Sequence, residues 1–176
     1  LVSQTAGAET AMTRVLDGLD AGYYEKTLRI LAGDKPVPGA PGATPTLLTD
    51  RSSAKNVKIA RAFLVDQIKA LGFTDHRKEE FDIPVDTGSF DTSFYSFGDS
   101  KGKSKAKIKA IKGVNYAFEI KGSEHPDEVI TVGAHYDTFL DGVPGANDNG
   151  TGVTAVLAMA KAFKEKGLSP NLIEAS

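Results

Sequence analysis

His135, Asp137 and Asp148 are the residues whose types and spacing could carry chemistry. An imidazole nitrogen and a carboxylate oxygen are both good Zn²⁺ donors, and a carboxylate can bridge two ions. His135 and Asp148 therefore form a candidate pair of metal ligands. Asp137, two residues beyond His135, suits a different task. It can reach the far ring nitrogen, fixing the tautomer of a ligating histidine. Blander roles fit the same types: a histidine hydrogen-bonded at a strand end, and an aspartate that caps a helix or closes a turn.

Something must bring these side chains together. Ahead of His135, Val129, Ile130, Thr131 and Val132 form an apolar run without alternation, which predicts a strand over 129–133 buried on both faces of a parallel or mixed sheet. A loop rich in Gly, Pro and Asp follows, then Asp148, then a helix from about Thr151 to Gly167 with Val153, Val156, Leu157, Ala160 and Phe163 on its buried stripe. Lys161, Lys164 and Lys166 sit late in it, at the negative end of the dipole. In α/β sheets, polar chemistry collects beyond the carboxyl ends of strands, where all three candidates fall.

The wording of this stretch, GAHYDT followed by GANDNGTG and an Ala-rich amphipathic helix, closely resembles the M28 family of zinc metallopeptidases. The resemblance extends upstream through EIKGSEHPDEVITVGAHYD and, more loosely, LTDRSSAKNVKIARAFLVDQIKALGF, so it covers most of 47–167. It implies a three-layer α/β fold, a mixed β-sheet flanked by helices, and a co-catalytic aminopeptidase. His135 resembles the ligand of one zinc and Asp148 the carboxylate bridging both, while Asp137 resembles the acid that supports catalysis. It also implies a cis peptide bond between Asp148 and Asn149. A Glu-Glu pair, a further acidic ligand and a final His complete the family's site. Here Glu174 stands alone, followed by Ala175, so two of five expected zinc ligands are present and the general base is not.

The expected organisation is thus one M28-like peptidase domain over 1–176, incomplete at its C-terminal side. Residues 1–50 hold N-terminal helices and a Pro/Gly loop, and 51–176 the first part of the α/β core. The expected partners are a peptide substrate and the remainder of the site, from a C-terminal part or another chain. Secretion or a periplasmic location follows from the resemblance alone. Other readings are a non-catalytic interaction domain with the same fold, a glutaminyl cyclase and a carboxypeptidase-type relative. GANDNGTG leans toward the aminopeptidases.

Composition narrows the field. A chain of 176 residues with 40% hydrophobic content can bury one core. A net charge of −2 without a basic stripe argues against nucleic acid, and no apolar run reaches the length of a membrane span. The absence of Cys excludes disulfides and thiolate metal sites. There is no Lys in the Gly-rich turn at 145–152, as a P-loop requires, and no GxSxG nucleophile motif.

Elsewhere, Met12, Val15, Leu16 and Leu19 recur at helical spacing, and Tyr24, Leu28 and Leu31 mark a second helix. Four Pro and two Gly make 35–46 a loop. A helix over 54–71, capped by Ser52 or Ser53 and stopped by Gly72, buries Val57, Ala60, Leu64, Ile68 and Leu71. Arg51, just ahead of it, reads as a surface charge. Phe81, Ile83 and Val85 alternate as a strand, and Val114, Tyr116, Phe118 and Ile120 as another. Between them, alternating lysines from Lys101 to Lys109 read as a protected edge strand, with Gly113 turning the chain into its antiparallel partner. The aromatics Phe90, Phe94, Tyr95 and Phe97 read as packing residues. His76 and His125 read as loop residues.

Overall fold

A computed structural model describes residues 11–39, 44–83 and 111–167. These form four helices and a two-stranded antiparallel sheet, a mixed α/β arrangement. The chain groups into two compact units: Leu1–Thr74 with Glu119–Ser176, and Asp75–Phe118.

The first unit holds all four of these helices and the candidate site. Helix α1 (Ala11–Asp17) is short, and of its apolar residues Val15 is buried while Leu16 and Leu19, just past the helix end, are exposed. Helix α2 (Ala21–Leu31) starts at Asp20, whose carboxylate accepts from the Tyr23 amide at 2.8 Å. That cap satisfies a donor that the first helical turn leaves without an intrahelical partner. Helix α2 buries Thr27, Ile30 and Leu31. Helix α3 (Ala54–Ala70) buries Asn56, Ala60, Phe63, Leu64 and Ile68, close to the expected stripe, and ends at Leu71 before Gly72. Helix α4 (Thr151–Lys166) turns Val153, Thr154, Leu157, Ala158, Ala160 and Ala162 inward and packs against α1 and α2.

The second unit contains strand β1 (Arg77–Ile83) paired antiparallel with β2 (Ile111–Ala117). Here the structure corrects the sequence. Gly113 does not turn the chain; it lies inside β2, directly opposite Phe81. The Phe81 ring covers it so closely that a Cβ there would lie 2.3 Å from the ring tip. An aromatic ring laid over a cross-strand glycine replaces the side chain that glycine lacks. Among the described residues the partner of β2 is β1. The lysine run from Lys101 to Lys109 lies outside the described residues, as do Val85, Phe90, Phe94, Tyr95, Phe97 and Glu174.

A second correction concerns 129–133. Among the described residues this segment pairs with no strand, and no three-layer sheet is formed. Val129 and Ile130 are 81% and 78% exposed, and Val132 is exposed too. A strand exists only through hydrogen bonds to a neighbour. The residues of this segment have the right type, but among the described residues no strand is hydrogen-bonded beside them.

Candidate metal centre

Residues 134–139 alternate in burial, the pattern of an extended chain. Ala134, Tyr136 and Thr138 face inward; His135, Asp137 and Phe139 face out. Side chains two apart in an extended chain share a face. That places the Asp137 carboxylate 3.0 Å from Nδ1 of His135. The opposite ring nitrogen, Nε2, lies 3.1 Å from Oδ1 of Asp148. The structure therefore brings all three sequence-derived candidates together around one imidazole, each more than half exposed.

The donor chemistry fits a candidate cation position. In the tautomer whose Nδ1–H donates to Asp137, the Nε2 lone pair would face a carboxylate oxygen. Two lone pairs that close repel unless a proton or a metal ion lies between them. Two donors about 2.0–2.1 Å from one tetrahedral ion stand roughly 3.3 Å apart, so the observed 3.1 Å fits a shared zinc. Among the described residues no group of three His, Cys, Asp or Glu side chains converges on such a point. His125 is remote in role: its ring pairs loosely with Glu128, at 3.7 Å.

Asp148 reaches this position from a wide turn, Ala146–Gly150, in which it and Asn149 leave helical geometry. The peptide bond between them is cis, as expected from the resemblance. Asn149 accepts the Gly152 amide through its side chain at 3.0 Å, serving the start of α4. Gly145 opens the turn at φ +59°, where a Cβ would lie 2.5 Å from the Asp148 carbonyl and from the Thr138 methyl. Only glycine fits there.

Sequence reasoning missed what supports the site. Arg51 is not a surface charge: it is completely buried. Its guanidinium donates to four carbonyls, those of Leu31, Tyr136 (2.7 Å), Pro144 (2.6 Å) and Gly145 (2.8 Å), while its amide donates to Thr138 Oγ1 at 2.9 Å. Burial pushes its pKa down, against the attraction of Asp137, Asp148 and Asp50. Asp50 precedes it and is equally enclosed. Its Oδ1 accepts the amides of Ser52 and Ser53, and its Oδ2 those of Gly142 and the Asn56 side chain. Burial alone would raise its pKa, but hydrogen bonds from Ser53, Gly142 and Ser52 outweigh it and hold the carboxyl well below the usual range. From α3, Arg61 reaches the Tyr136 hydroxyl at 2.8 Å. The Tyr23–Tyr24 pair serves packing, with Tyr24 donating to the Thr151 carbonyl at 3.4 Å and Lys161 lying 5.9 Å from the Tyr23 ring centre.

Residues 115–173 match the model for peptidase family M28. The M28 match contains His135, Asp137 and Asp148, and so bears out the resemblance carried by GAHYDT and GANDNGTG. Arg51 and Asp50 lie outside it. A curated relative, a probable zinc metalloprotease of Pyricularia oryzae, is 25% identical over 129 residues, covering 69% of this chain and 23% of that protein. The chain thus spans less than a quarter of that relative's length. No solved structure matches it. No helix among the described residues is long and apolar enough to cross a membrane.

Proposed function

We propose that this chain carries part of the active site of a zinc-dependent aminopeptidase, acting on the N-terminal residues of peptides. The supporting observation is the pair of contacts on one imidazole, Asp137 at Nδ1 and Asp148 at Nε2, 3.0 and 3.1 Å away. His135 would bind one zinc through Nε2. Asp148 would bind the same ion through Oδ1 and offer its other oxygen to a second. Asp137 would hold the imidazole in the tautomer that keeps Nε2 available. The chemistry zinc supplies in such a site is Lewis acidity toward a peptide carbonyl and toward water. The remaining ligands and the base would come from residues beyond those described or from a second chain. In the same reading, the three-layer sheet of the full domain would take in 129–133 and cover the exposed Val129, Ile130 and Val132.

Zinc titration combined with a substrate pair tests this. The protein should bind zinc, and His135→Ala and Asp148→Asn should each weaken binding at least about tenfold. In its longest form it should hydrolyse an aminoacyl 4-nitroanilide with a free amine and spare the N-acetylated counterpart. The 176-residue chain alone should bind zinc weakly and hydrolyse neither. Cleavage of both substrates would remove the aminopeptidase assignment. Absence of zinc binding in the longest form would leave an interaction domain with an M28-like sequence.

A further inference from the structure

We propose that Arg51 is the positioning residue of this site, a buried clamp that sets the separation of His135 and Asp148 by gripping both stems of the loop between them. The inference rests on reading those two residues as metal ligands.

The two stems are 136–138 and 144–145, and one side chain holds both. Nε of Arg51 donates to the Tyr136 carbonyl, in the residue directly after His135. Nη1 and Nη2 donate to the Pro144 and Gly145 carbonyls, four and three residues before Asp148. The Gly145 carbonyl also accepts the Gly150 amide at 3.1 Å, which closes the turn carrying Asp148. Arg51 thus bonds the very atom that closes that turn. Its own backbone is fixed in turn, because its amide donates to Thr138 on the first stem. A second bond from Nη1 reaches the Leu31 carbonyl at the end of α2, tying the clamp to the helical core.

Only a planar fork can do this. A guanidinium presents donors in several fixed directions, whereas a lysine ammonium is a single point on a flexible stem. Lysine at position 51 would keep the positive charge beside Asp50, Asp137 and Asp148 yet could not serve both stems together. The opposing account is that Arg51 only stabilises the core. The two accounts diverge in where the damage appears: the clamp predicts loss confined to the loop and the metal, while a core residue loosens the unit generally.

Arg51→Lys is the test, with Leu64→Ala on α3 as a destabilised control away from the loop and Thr138→Val as a milder variant that removes the anchor on the Arg51 amide together with the longer bonds from the same hydroxyl to Ser52 and Leu140. Zinc affinity would be read by competition with a chromophoric chelator, and amide hydrogen exchange by NMR in the zinc-free protein. Arg51→Lys should weaken zinc binding about 10–100-fold and speed exchange of the Gly142 and Gly150 amides about tenfold or more. Leu64→Ala should change the affinity less than about twofold, and Thr138→Val should shift both readouts in the Arg51→Lys direction by a smaller factor. Equal zinc loss in Leu64→Ala, or unchanged exchange at Gly142 and Gly150 in Arg51→Lys, would overturn the clamp. If Arg51→Lys does not fold, unchanged affinity and exchange in Thr138→Val overturn it. If the unsubstituted protein binds no zinc, the metal reading fails, and the exchange readout alone decides for or against Arg51.

Discussion

Asp50 shows how much of this site depends on one acceptor that touches no candidate ligand. Both of its oxygens are fully engaged, one side by the Ser52 and Ser53 amides, the other by Gly142 and Asn56. Replacing it with Asn would aim an NH₂ at one of those donor pairs whichever way the amide turned. Asp50→Asn should therefore lower the unfolding free energy by about 1–3 kcal/mol at pH 7. The sign with pH follows from the depressed folded-state pKa. Below roughly pH 4, where an unfolded Asp takes up a proton, the unfolded state binds more protons than the folded one. The contribution of Asp50 is thus complete above about pH 4 and fades as pH falls toward the folded value. Urea midpoints between pH 7 and pH 3 should decline more steeply for the unsubstituted protein than for Asp50→Asn. At this scale His135, Asp137 and Asp148 were legible, because their types and their two- and thirteen-residue spacings limit what they can do. Arg51 was not. A single arginine has no periodicity, and its acceptors are backbone carbonyls, which leave no trace in residue type.

At the scale of elements, legibility followed the number of turns available to average over. Helices α3 and α4 matched their expected limits within about two residues, since each repeats its apolar pattern through four turns or more. The buried set of α4 nevertheless shifted toward alanine: Ala158, Ala160 and Ala162 are inside, while Val156 and Phe163 are only partly covered. Close approach explains it. Gly18, just past the end of α1, lies so near α4 that a Cβ added there would stand 3.2 Å from the Ala162 Cβ. Ala162→Leu should overpack this contact and cost about 1–3 kcal/mol in urea unfolding. A cost near zero would mean that α1 gives way rather than α4. Strands fared worse because a strand is defined by its partner. The pairing of β1 with β2 at Phe81 and Gly113 depends on a ring lying over a glycine, and neither residue announces that alone.

For the whole molecule, the unresolved question in the sequence was what the apolar run at 129–132 would rest against. Hydrophobic type specifies that a segment prefers cover, but not which surface supplies it. Among the described residues nothing pairs with it, and Val129 and Ile130 stand open to solvent. Exposed aliphatic side chains on a segment without a strand partner among the described residues are a template for pairing with another chain, and a net charge of only −2 gives little repulsion to prevent it. The 176-residue chain should therefore self-associate as its concentration rises. Val129→Glu together with Ile130→Glu removes the apolar template and makes the chain more negative by two carboxylates, which should raise the concentration at which it stays monomeric in light scattering. Because both side chains are already solvated, the unfolding free energy should change by no more than about 0.5 kcal/mol per site. A loss of several kcal/mol would instead mean that these residues are covered within the chain itself, and the extended segment leading into His135 would then be anchored by burial as well as by Arg51.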